Sequence, residues 1–172
     1  MRRTIVLTSL AALALTLGSF GPRETPLRPD SSRAALTSLG QEYVDLHQWA
    51  SAIAATTDTL SSEGSERARV LAHQLSRLML PLEEDFAKTT ASLSTAQLEL
   101  ILPLWERMAF AHAGFAMLQE EAAALGVDPA LEPAALHDLA GELSAVLDFA
   151  TEIQRLVLTE LTAPVETTIR IS

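Results

Sequence analysis

Four stretches of this chain repeat apolar residues alternately three and four positions apart, a spacing that restricts them to helices sharing a core. The first runs Leu36, Leu39, Tyr43, Leu46, Ala50, Ile53, Thr57 and Leu60, with Thr57 the one polar member. The second runs Ala68, Leu71, Leu75, Leu78 and Leu82, after which Asp85 falls on the seam and the stripe slips to Phe86. Pro81 sits at that slip. A proline inside a helix removes a backbone donor and crowds the preceding turn, so a kink is expected there, with Asp85 rotated outward. The third seam is Ile101, Leu104, Met108, Ala111, Phe115, Leu118, Ala122 and Leu125, and Pro103 is expected to bend its first turns. The fourth is Leu136, Leu139, Leu143, Val146, Ala150, Ile153 and Val157.

The breaks between seams are short. Ser61-Ser62-Glu63-Gly64-Ser65, Thr89 to Ser94, and Val127-Asp128-Pro129 interrupt the pattern. Ser94-Thr95-Ala96-Gln97 reads as a capping box, Gly126 as a C-terminal cap, and Pro133 as a first-turn proline. Short connections force neighbouring helices to run in opposite directions. The expected fold class is therefore all-α, an antiparallel up-down four-helix bundle over residues 33–162. The alternative is a pair of long hairpins that complete their core only as a dimer.

Ahead of the bundle, Met1-Arg2-Arg3 precedes an apolar run from Thr4 to Leu17, then Gly18-Ser19-Phe20-Gly21. A cationic start, a short apolar stretch and small residues predict an export signal over residues 1–20. Pro22 would block cleavage after Gly21, so an uncleaved signal anchor is the alternative reading. Residues 21–32, with three prolines, read as a disordered leader, and 163–172 as a C-terminal tail. The expected location is periplasmic or secreted, with membrane association only if the signal stays uncleaved. Without the first 20 residues the chain keeps ten basic against 22 acidic residues, a net charge of −12. That charge repels nucleic acid and anionic lipid, so neither is an expected partner.

Leu93-Ser94-Thr95-Ala96-Gln97 is similar to the Leu-Thr-x-x-Gln motif of small helical periplasmic stress proteins and chaperones. The likeness covers five residues, with Ser94 where that family has Thr, and Leu158-Thr159 lacks the Gln of a second copy. Those proteins resemble this chain in size and export, but they are basic cradles whereas this chain is acidic. The capping box accounts for the same residues without kinship, and no family is assigned on them.

Catalytic chemistry finds no foothold in the sequence. There is no cysteine, which excludes disulfides, thiol catalysis and thiolate-bound metals. None of His47, His73, His112 and His137 has a carboxylate or a second histidine three or four residues away, so local metal-ligand spacing is absent. His73 and His137 project to solvent. His47 and His112 flank their seams, as boundary histidines bonded to a backbone carbonyl or water. The acidic runs Glu83-Glu84-Asp85 and Glu120-Glu121 read as solvated faces. No enzyme activity, cofactor or metal is expected. The alternatives kept open are a haem- or small-ligand-binding bundle, with His112 and Met108 or Met117 as axial ligands, and a membrane-anchored extracytoplasmic sensor or accessory subunit.

One feature points to binding. Leu102, Phe110 and Met117, with Ala109, Ala113, Gly114 and Ala116 beside them, lie mostly away from the third seam. A helix apolar nearly all round is either buried on both sides or presents an interaction surface. The first outcome would follow if Pro103 distorted the bundle around a central third helix. The second makes Leu102, Phe110 and Met117 an interaction site for a protein partner or for a second copy of the chain, a homodimer being the expected form. The function expected is that of an exported, non-enzymatic, self-associating binding protein.

The seams generate a direct test. Phe115 lies on a wholly apolar seam, so Phe115→Ala is expected to cost about 3–5 kcal/mol. His73→Ala, at a solvated position, should stay within roughly 0.5 kcal/mol. Urea melts of the two variants check the assigned helix phase.

Overall fold

In the computed structural model, residues 29–60 and 64–163 are described. The expected signal, most of the leader and the tail from residue 164 lie outside them. The described residues are all-α, in five helical segments: α1 (Pro29–Thr57), α2 (Ser65–Met79), α3 (Pro81–Ser92), α4 (Thr95–Val127) and α5 (Pro133–Thr162). α1 begins at Pro29, inside the stretch read as leader, and Ser32 is buried where it accepts a hydrogen bond from Gln97 Nε2 at 3.1 Å.

The second seam forms two segments. Pro81 has no N–H to offer, and it stands at the start of α3, where no intrahelical donor is needed. Leu80 between the segments keeps helical dihedrals, so α2 and α3 form one interrupted rod. At the other end of α3 the capping box closes as expected. The Gln97 amide donates to Ser94 Oγ at 3.2 Å, and the Ser94 amide donates to Gln97 Oε1 at 2.9 Å.

The rods pack in a ring, α1 on α5, α5 on α4, α4 on α2, and α3 on α1 and α4. Side-chain contacts give the directions. Gln154 reaches Leu36 while His137 reaches Ala54, so α1 and α5 are antiparallel. Gln119 bonds Ser76 while Phe86 stacks on Trp105, so α4 runs against the α2–α3 rod. Gln97 meets Ser32 and His112 meets Tyr43, so α1 and α4 run the same way across the core.

The core consists largely of the expected seams. Leu36, Tyr43, Ile101, Met108, Leu136 and Leu143 are all fully buried. The second seam is corrected. Ala72 and Met79 are buried with Ala68, Leu75 and Leu82, while Leu78 is exposed and Leu71 is half-buried. Two stripes of equal spacing pass through α2, and hydrophobicity alone favours the one richer in leucine. Close approach to α4 selects the other. A Cβ added at Gly126 would stand 3.2 Å from the His73 backbone, so the two helices meet where only small groups fit.

That contact also replaces the expected role of Gly126. It is not a left-handed cap, since no described glycine has a positive φ, and α4 continues through it to Val127. Gly40 serves the same purpose between α1 and α5. A Cβ there would lie 2.6 Å from Gln154 Nε2, the group that donates to the Leu36 carbonyl at 3.0 Å. Gly141, by contrast, faces open space inside α5. Gly141→Ala should therefore raise stability by about 0.5–1 kcal/mol, the usual helix-interior gain. Gly40→Ala should lower it by displacing Gln154. Thermal melts of the pair distinguish contact from propensity.

Candidate interaction surface and the buried histidine

Three sides of α4 are occupied. Its core side carries Ile101, Met108, Phe115 and Ala122. One flank meets α2 and α3 through Gln119, Trp105 and His112. The other meets α5, where a Cβ added at Gly114 would stand 3.6 Å from Val146 and the Arg107 guanidinium lies 5.3 Å from the Phe149 ring centre. What remains faces outward, and it includes the sequence-identified residues. Leu102 is 51% exposed, Phe110 73% and Met117 66%. Ala113 and Ala116 are exposed beside them, and Ala109 and Gly114 are half-buried. The expectation of a helix buried on both sides is thereby overturned. Pro103 lies within α4, but α4 keeps one face to the exterior. At 1.5 Å per residue, Leu102 to Met117 covers about 22 Å of helix. Glu106 and Glu120 are exposed on the same face.

The histidine assignments divide. His73 is exposed, as expected. His47 and His137 are half-exposed and paired with carboxylates, His47 Nε2 at 3.3 Å from Asp148 and His137 Nδ1 at 3.1 Å from Asp58. His112 is no boundary residue but only 8% exposed. Its Nε2 lies 2.6 Å from the Tyr43 hydroxyl, whose oxygen is also 3.4 Å from Met108 Sδ. A tyrosine hydroxyl has one proton, so it donates either to Nε2 or to Sδ, and in the second case the imidazole N–H donates to it. The ring stacks on Phe86 at 4.0 Å between centres, with Phe115 edge-on at 5.3 Å. Phe86 in turn stacks on Trp105 at 5.1 Å.

Ligation of haem iron through His112 Nε2 would take that nitrogen from Tyr43. Met117, one of the two ligands considered with it, faces the opposite side of α4. Burial pushes the imidazole down from its ordinary 6.5 to about 4, so it is neutral near pH 7. Burial, reinforced by the Glu42 charge, raises the Tyr43 phenol above its ordinary range.

Sequence reasoning missed a second polar contact. Asp85 is not rotated out. It is partly buried between α3 and α1, with Lys88 Nζ 3.0 Å from its Oδ1. Across from it, Glu42 buries Oε2 without a hydrogen-bond partner, and desolvation, then the Asp85 carboxyl, raises its pKa. The only sequence signal was Asp85 falling on a projected seam; Glu42 lies 43 residues earlier and gave none. Glu83, Glu84, Glu120 and Glu121 are exposed, as expected of solvated faces.

An open cleft of about 550 Å³ lies where α1 ends and α5 begins, lined by Thr57, Asp58, Glu132, His137 and Asp138 among others. His137 in it is paired with Asp58 at 3.1 Å and lies 3.4 Å from the Thr57 hydroxyl. Among the described residues, no group of three or more His, Asp or Glu is placed to hold a metal ion, and no helix is long and apolar enough to cross a membrane. No family model, curated protein or solved structure matches this chain.

The lowered His112 pKa sets the sign of a pH effect. Between 6.5 and about 4 the unfolded chain takes up this proton more readily than the folded one. His112 therefore supports the fold fully above pH 6.5 and loses that contribution as pH falls toward 4. At roughly 1.4 kcal/mol per pH unit the loss amounts to about 3 kcal/mol. His112→Gln should shrink the stability difference between about pH 7 and about pH 4.5 by an amount of this order, less the part outside that interval, in urea melts at the two values.

Proposed function

We propose that this chain is an exported, non-enzymatic helical protein that acts by binding, and that the outer face of α4 is the surface it presents. The pair directions support an antiparallel up-down four-helix bundle, with α1 and α4 on one diagonal and the interrupted α2–α3 rod and α5 on the other. The cationic and apolar N-terminus supports export, to the periplasm or the medium. The observation that carries the binding reading is the exposure of Phe110 and Met117, large apolar side chains at 73% and 66% on one helix face. Residues of this size are normally buried, and grouped exposure of this kind marks contact surfaces. The partner is a protein, and self-association as a homodimer is the expected form.

Burying each of these side chains is worth roughly 1.5–3 kcal/mol, enough together to shift an association constant by one or more decades. Replacing both with Glu should dissociate the assembly or abolish partner binding in sedimentation, with the helical circular dichroism unchanged. Unfolding of the double variant would return the stripe to the core. Unchanged sedimentation and partners in a folded variant would remove its role.

A further inference from the structure

The segment α3 is the shorter half of the interrupted α2–α3 rod. It is 12 residues long, separated from α2 at Leu80–Pro81 and from α4 by the extended Leu93 and Ser94. It packs on α1 and α4. Its aromatic anchor, Phe86, covers both His112 and Trp105. One residue earlier, Asp85 meets Glu42 of α1, whose Oε2 is buried with no donor in reach. Two ionised carboxylates only accept hydrogen bonds, so this contact is repulsive unless one of them carries a proton.

We propose that α3 is held by a proton latch: one proton shared between Glu42 and Asp85 docks Pro81–Ser92 against α1 and α4, and its loss frees α3 and uncovers the Trp105–His112 aromatic cluster. Lys88 Nζ, paired with Asp85 and also with Glu84 at 2.9 Å, leaves Glu42 as the proton's carrier. The Glu42 hydroxyl then donates to the Asp85 carboxylate. The charged groups around Glu42 are Asp45 on its own helix and Asp85 and Lys88 on α3, while His112 of α4 faces it through Tyr43 and is neutral near pH 7. Two acids and one lysine give a net negative surrounding, which favours the protonated carboxyl. Because docking raises the proton affinity of Glu42, the latch holds at lower pH and releases as pH rises through the raised value.

Trp105 reports the event. The chain has two tryptophans, and Trp49→Phe leaves Trp105, 7% exposed beneath Phe86, as the sole emitter. Acrylamide quenching of this full-length variant is followed from about pH 5 to 8, alone and with Glu42→Gln, which keeps a neutral donor facing Asp85. His112 is common to both proteins, so their ratio isolates Glu42. The expected result is that quenching rises with pH relative to Glu42→Gln, the opening equilibrium growing by up to about tenfold per pH unit of raised proton affinity. Hydrogen exchange of residues 81–92 should show the same divergence, with α5 unaffected. Asp85→Asn should also remove the divergence, and it serves if Glu42→Gln does not fold. Parallel pH profiles with and without Glu42→Gln, or divergence spread evenly over all helices, would overturn the latch.

Discussion

A hydrogen bond between Tyr43 and His112 sits in a core whose other buried polar side chains are Ser32, Thr57, Ser76, Thr89 and Gln154, and the placement of three helices depends on it. Repeating three-four seams are degenerate, because sliding one helix by a heptad still buries apolar side chains. A buried polar pair is not degenerate. If α4 slipped by one heptad, Trp105 or Gln119 would replace His112 opposite Tyr43, and the phenol would lose its imidazole partner. A buried polar group left unsatisfied costs about 1–3 kcal/mol, a large share of the stability of a domain this size. Since His112 also stacks on Phe86, the same residue ties α1, α3 and α4 together.

The outward face of α4 follows from this inner crowding. Tyr43, Phe86 and Phe115 gather around the α4 side that carries His112, with Trp105 stacked on Phe86. The flank toward α5 is closed by Gly114 and Arg107. Leu102, Phe110 and Met117 thus have no place inside, and their apolar area is available for a contact. The chain carries a net charge of −10, so such a contact would draw its free energy from apolar burial. It would gain little from charge attraction between like-charged chains.

Much of this was legible in the sequence because a helical seam is local information. The α1 seam is buried from Leu36 to Thr57, and the Ser94–Gln97 capping box and the α5 start at Pro133 stand where local chemistry placed them. Leu102, Phe110 and Met117 were found by their distance from their own seam, and all three are exposed. What escaped depends on neighbours far along the chain. In α2 two stripes fit the same spacing, and the approach of Gly126, more than 50 residues away, decides between them. His112 looks like a flank residue on its own wheel and becomes a core residue only because Tyr43 and Phe86 close over it. Glu42 and Asp85 each look solvated, and only the docking of α3 on α1 brings their carboxyls together.

The most direct test of this account is a double-mutant cycle on the central contact. Tyr43→Phe removes only the hydroxyl, and His112→Phe keeps a ring to stack on Phe86. If the buried bond holds α1 to α4, the double variant will be less destabilised than the sum of the singles by about 1 kcal/mol or more in denaturant melts. Additive single effects would mean that the two side chains do not depend on each other, and the register would have to be set elsewhere.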